Sequence, residues 1–137
     1  MKVTLRRIDG AHFEATNEAG LTCQLDGPPD LGGKGAGVRP MEMVLMSLAG
    51  CSALDVLHIL QKQRQGLQDL NVEVDGQRAD AVPAVFTTIH LRFVATGEVE
   101  AAKLERAVEL SMEKYCSVAH MLQAKVEITH SAEVKSS

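Results

Sequence analysis

The sequence predicts an α+β fold, and three observations carry that prediction. Short runs before residue 27 alternate apolar and polar side chains with a period of two and end in turn residues. One apolar stretch, Met43 to Leu60, is too long for a strand and keeps helical spacing. Behind it stand a second alternating pair, an amphipathic segment and a last alternating run, so strands come in groups separated by helices.

Residues 2–9 read as the first strand, with Val3 and Leu5 on one parity and the turn pair Asp9-Gly10 at the end. Residues 12–17 and 21–26 are the next two. In the third, Leu21, Cys23 and Leu25 share one face, which makes Cys23 a small buried hydrophobe with no chemistry expected of it. Residues 27–39 form a loop rich in Gly and Pro. Its Gly32-Gly33-Lys34-Gly35 looks like a phosphate cradle, yet Lys34 is followed by Gly where a Walker loop needs Ser or Thr, so nucleotide binding is not expected. A mobile connection beside a site is expected instead. Pro40 starts a helix at the favoured first-turn position and Gly66 supplies its stop, giving about seven turns.

Residues 68–79 and 84–97 form a hairpin with Pro83 in its connection. Alternation puts Phe86, Thr88, His90 and Arg92 on one face of the second arm and Val85, Thr87, Ile89, Leu91 and Phe93 on the other. Residues 100–115 are amphipathic at helical spacing, 117–123 make a short further helix, and 125–135 a closing strand. The whole chain, 1–137, is expected to be one domain.

Composition removes several classes of function. A net charge of −4 with scattered basic residues offers no field for nucleic acid. Three Phe, one Tyr and no Trp leave the core to Leu, Val, Ala, Ile and six Met, and exclude binding by aromatic stacking. With no charged and apolar leader and an odd number of cysteines, three, a cytoplasmic protein with reduced thiols is expected. The apolar stretch approaches the length of a membrane span, but it holds Asp55 and His58, and a carboxylate at the bilayer centre costs about 2.5–3.5 kcal/mol. A helix buried in protein is the expectation. One domain of this size would struggle to cover it, which favours a dimer.

Two thiols carry the functional signal. Cys51 lies in the long helix and Cys116 in Tyr115-Cys116-Ser117-Val118, 65 residues later. If the fold joins them, one can attack a substrate and the other can resolve the product as a disulfide. Cys51, Asp55 and His58 fall within roughly 40° of a common line on the helix. Either a base on that stripe favours the Cys51 thiolate, or Asp55 and His58 bond to each other or to a neighbouring strand. Cys116 either packs as an apolar group or sits at the N-terminus of a helix starting at Ser117, where unpaired N–H groups favour a thiolate.

Without C-x-x-C or H-x-x-x-H, no structural zinc site is expected. Arg39 and Glu42 stand at the mouth of the long helix. Glu42 suits the helix dipole and points about 180° from Cys51 on a straight helix, while Arg39 can reach a thiolate or peroxide if the glycine loop folds back.

The segments Arg39-Pro40-Met41-Glu42-Met43-Val44-Leu45, Gly50-Cys51 and Tyr115-Cys116-Ser117-Val118 resemble the OsmC/Ohr family of osmotic-stress and organic-hydroperoxide proteins, most closely its YhfA-like branch. The resemblance covers nearly the whole chain. It implies an intertwined homodimer whose long cysteine-bearing helices are buried between two sheets. It also implies a cofactor-free reduction of organic hydroperoxides, with Cys51 as the attacking thiol, Cys116 as the resolving thiol and a cellular dithiol as reductant. Two positions depart from the family pattern. The catalytic Glu that follows the helix-starting Pro is Met41 here, with Glu42 one residue on. The thiolate-binding Arg near the first strand turn is replaced by Ile8-Asp9-Gly10-Ala11-His12, which leaves Arg39, Arg6 or Arg7 to stand in. The rival expectation is a non-enzymatic binder of a small apolar ligand or a partner. Protein disulfide exchange ranks last, because the two thiols lack the exposure of a C-x-x-C.

Overall fold

A computed structural model describes residues Met1–Ser137. The alternating N-terminal runs become three antiparallel strands, β1 (Val3–Asp9), β2 (His12–Asn17) and β3 (Thr22–Leu25), in the order β1-β2-β3. Gly10, at φ +53°, makes the first turn, and the Arg7 Nε donates to its carbonyl at 2.7 Å. The chain divides by packing into two units, Met1–Val44 and Leu45–Ser137.

In the first unit the glycine-rich loop is tied down, contrary to the mobile connection expected. Asp26, 2% exposed, accepts hydrogen bonds from the N–H groups of Gly27, Lys34 and Ala36 at 2.7, 3.0 and 2.9 Å. The loop then returns along β3, with Val38 N–H donating to Gln24 and Asp26 N–H donating to Val38. A side chain at Gly33 would overlap the Gly27 carbonyl, and one at Gly37 would overlap the Gln24 backbone. The glycines therefore allow close backbone approach.

Cys23 corrects a second expectation: it is exposed. The parity was right, since Val3, Ala15, Leu21 and Cys23 share one cavity on the sheet. The chain puts no cover on that face, and Val3, Leu5 and Leu21 are 63%, 59% and 70% exposed.

Helix α1 (Pro40–Lys62) begins at Pro40 as expected. It ends earlier than Gly66, with Arg64 at φ +53° in the left-handed region, and Gly66 is the first residue of β4. Only Leu48, Ser52, Val56 and Leu60 of α1 are buried, one stripe at every fourth residue. The rest of the helix is open in the single chain: Met46 and Leu54 are 49% and 67% exposed.

In the second unit β4 (Gly66–Arg78) and β5 (Phe86–Glu98) pair antiparallel, and β6 (Glu127–Lys135) adds parallel to β5 after a helical crossover through α2 (Ala101–Leu110), a π-helical turn (Ser111–Tyr115) and α3 (Ser117–Leu122). Central β5 supplies Ile89, Leu91, Phe93, Val94 and Ala95 to the core, with Leu104, Ala107 and Val108 of α2. Phe86 also faces inward, against its expected parity. The register shifts between Gln77/Arg78, leaving Thr87 unpaired and turning Phe86 to the side of Ile89.

Candidate functional site

The second unit brings Cys51 and Cys116 together within one chain. Cys51 is carried by α1, four residues before Asp55 and so on the same face. Cys116 ends the π-helical turn and is the N-cap of α3, its backbone N–H bonded to the Ser111 carbonyl at 2.7 Å. The Sγ atoms of both cysteines and a carboxylate oxygen of Asp55 lie within 4.8 Å of one another. Both thiols are free.

Asp55 bonds neither to His58 nor to a strand. Its Oδ2 accepts from the Ser111 hydroxyl at 2.9 Å, and Ser111 is fully buried. In the sequence Ser111 is only one residue of the amphipathic segment 100–115. Its polar role depends on the π-helical turn, an irregularity often found at functional sites. A Ser on an apolar stripe, opposite an unpaired helical Asp, was the signal available. His58 is exposed and lines, with Asp55, Ile59, Lys62 and Tyr115, a cavity of about 320 Å³ beside the cluster.

The expected helix-terminus effect on Cys116 is present and is outweighed. Ala119 N–H donates to its Sγ at 3.4 Å, which favours the thiolate. Burial works the other way and dominates: it pushes the Cys116 thiol up to about 11, helped by the Cys51 sulfur and the Asp55 carboxylate nearby. Cys116 thus keeps its proton at neutral pH and can donate it toward Cys51.

Arg39 and Glu42 belong to the first unit. The Glu42 Oε1 accepts from the Arg39 backbone N–H at 2.9 Å, one half of a capping box across the first turn of α1. The Arg39 side chain is exposed and engages no carboxylate. The two alternatives are occupied elsewhere, Arg6 with Glu14 at 3.5 Å and Arg7 with the Gly10 carbonyl.

The family model for OsmC-like proteins matches residues 33–131. The chain belongs to the OsmC-like family. Over 135 residues, 98% of each chain, it is 44% identical to Protein YhfA of Escherichia coli strain K12. The crystal structure of a hypothetical protein from Aquifex aeolicus VF5 is 35% identical and superposes with a TM-score of 0.89, over 99% of this chain and 96% of that one. An organic hydroperoxide resistance protein OsmC from Legionella pneumophila shares the fold at a TM-score of 0.70 and 19% identity, over 98% and 97% of the two chains. The resemblance read from the cysteine segments and the α+β class both hold, and the OsmC-like region includes α1, Cys51 and Cys116.

Proposed function

We propose that this protein is a cytoplasmic, thiol-dependent reductant of organic hydroperoxides. The observation that carries the reading is the convergence of Cys51 and Cys116 beside Asp55 from elements 65 residues apart. Membership of a family whose structural relatives include organic hydroperoxide resistance proteins supports it. Cys51, half-buried, attacks the terminal oxygen of the hydroperoxide. The O–O bond breaks, the alcohol leaves with a proton, and Cys51 becomes a sulfenic acid. Cys116 then attacks that sulfur, water departs, and a Cys51–Cys116 disulfide forms. A cellular dithiol returns both thiols by exchange.

The high thiol pKa of Cys116 suits the second role: it stays protonated while Cys51 reacts and loses its proton only as the disulfide forms. Glu42 is assigned as the group that fixes the Arg39 backbone at the start of α1. The occupant of the reacting position is assigned as an alkyl hydroperoxide, in keeping with the organic hydroperoxide resistance proteins among the structural relatives.

One measurement tests the reading: intact mass and free-thiol count before and after one equivalent of an alkyl hydroperoxide, with peptide mapping. Loss of two hydrogens and a Cys51–Cys116 link are expected in wild type, none in Cys51→Ser, and a single turnover ending in sulfenic acid in Cys116→Ser. Three unreactive thiols would reject it. The second reading, a binder of small ligands, has one observation in its favour, the cavity over Asp55, His58, Ile59, Lys62 and Tyr115.

A further inference from the structure

Asp55 is the part of the cluster that dithiol chemistry does not require. The Asp55 carboxylate opposes ionisation of the neighbouring Cys116 thiol, since like charges in a poorly solvated site repel. Yet the fold holds it there, with the buried Ser111 hydroxyl fixing one carboxylate oxygen. Two soft sulfur donors and one oriented oxygen donor converge from α1 and the start of α3, with ligand atoms within 4.8 Å of one another. A tetrahedral zinc ion, with Zn–S near 2.3 Å and Zn–O about 2.0–2.2 Å, spaces its ligands about 3.5–3.8 Å apart. Side-chain rotation of about 1 Å closes the difference. Thiolate donors select zinc and similar soft ions over magnesium or calcium.

We propose that the reduced protein binds one Zn²⁺-class ion through Cys51, Asp55 and Cys116, with the fourth position open to water. Each thiol releases its proton to solvent as it coordinates, so two thiolates and a carboxylate surround a dication and the repulsion among them is relieved. Ser111 orients the Asp55 carboxylate, as hydrogen bonds to metal-bound carboxylates do. The ion and the disulfide are mutually exclusive, because oxidation consumes both sulfur ligands. The result is a redox-dependent zinc site rather than a structural one. Its ligands are 65 residues apart at the extremes, which is why no paired motif marks it in the sequence.

The test uses the full-length, metal-free, reduced protein, titrated with Zn²⁺ against a chromophoric chelator and with Co²⁺ as a spectroscopic probe. One ion per chain is expected, with thiolate-to-cobalt charge transfer and the visible bands of tetrahedral Co²⁺. Asp55→Asn should lose at least about tenfold in affinity. Blocking Cys51, the more accessible of the two sulfur ligands, with N-ethylmaleimide should abolish binding. Cys23→Ser should bind like wild type, the exposed thiol lying outside the cluster. Absence of stoichiometric binding to the wild type overturns the proposal, as does binding that survives in a Cys51→Ser, Cys116→Ser double variant. No peroxide is present, so this outcome is independent of whether the protein reduces hydroperoxides.

Discussion

Cys116 is decided by competition between two local effects. Its N-cap position supplies an N–H donor, and its complete burial removes the water that a thiolate needs. Burial wins, and the thiol titrates near 11 instead of 9.0. The expected outcome is very slow alkylation of Cys116 at pH 7–8, rising as the pH approaches 11 and matching an ordinary thiol once the protein is unfolded. Mass spectrometry of native and denatured samples over a pH series reads this directly; prompt native labelling at pH 7 contradicts it. The sign for stability follows the same logic. A raised thiol pKa contributes stability that is present below pH 9 and is lost as pH rises through about 11. Asp55 fell on the line with Cys51 that helical geometry predicts, but its partner, Ser111, came from another element.

At the scale of elements, the loop before α1 depends on one carboxylate. Asp26 accepts from Ala36, Lys34 and Gly27, and these N–H donors hold its carboxyl below the ordinary value of 3.8. A depressed carboxyl contributes stability that is present above its unfolded pKa and is lost as pH falls through the folded one. Below about pH 4 the loop should loosen, with faster hydrogen exchange at the Lys34 and Ala36 amides. Asp26→Asn should show that loosening already at pH 7 and lose its acid dependence. Loop order was illegible in the sequence because composition reports conformational freedom, whereas Asp26 and the backbone contacts at Gly33 and Gly37 use that freedom to pack. Strand parity was legible until a bulge intervened. A register shift between Gln77/Arg78 costs nothing in composition, yet it turns Phe86 to the other face.

For the whole molecule, the apolar surface left bare by one chain carries the expectation of a second copy. Helix α1 has a mean hydropathy of 1.8 over its most apolar 18 residues, and only 22% of that window is buried. Length and composition alone would let it cross a membrane, but Asp55 is tied to Ser111 and held against both thiols, an arrangement suited to a protein interior. Burying the exposed parts of Leu54 and Met46, 67% and 49% of each, in a partner contributes about 1–2 kcal/mol each. The protein should therefore run as a homodimer in light scattering at micromolar concentration, and Leu54→Glu should yield monomer or aggregate. A monomeric wild type overturns the assignment.

Some of this was determined by the sequence alone. Period-two and period-3.6 patterns depend only on neighbouring residues, so they located the strands, the Pro40 helix start and the α+β order, and the two cysteine segments marked the OsmC-like family. The tertiary structure alone decided what long-range packing controls. It set the meeting of Cys51 with Cys116, the Ser111 bond that takes Asp55 from His58, the proton that Cys116 retains and the exposure of Cys23. The physical reason is that desolvation and partner choice are properties of the groups brought near in space, and no local pattern contains them.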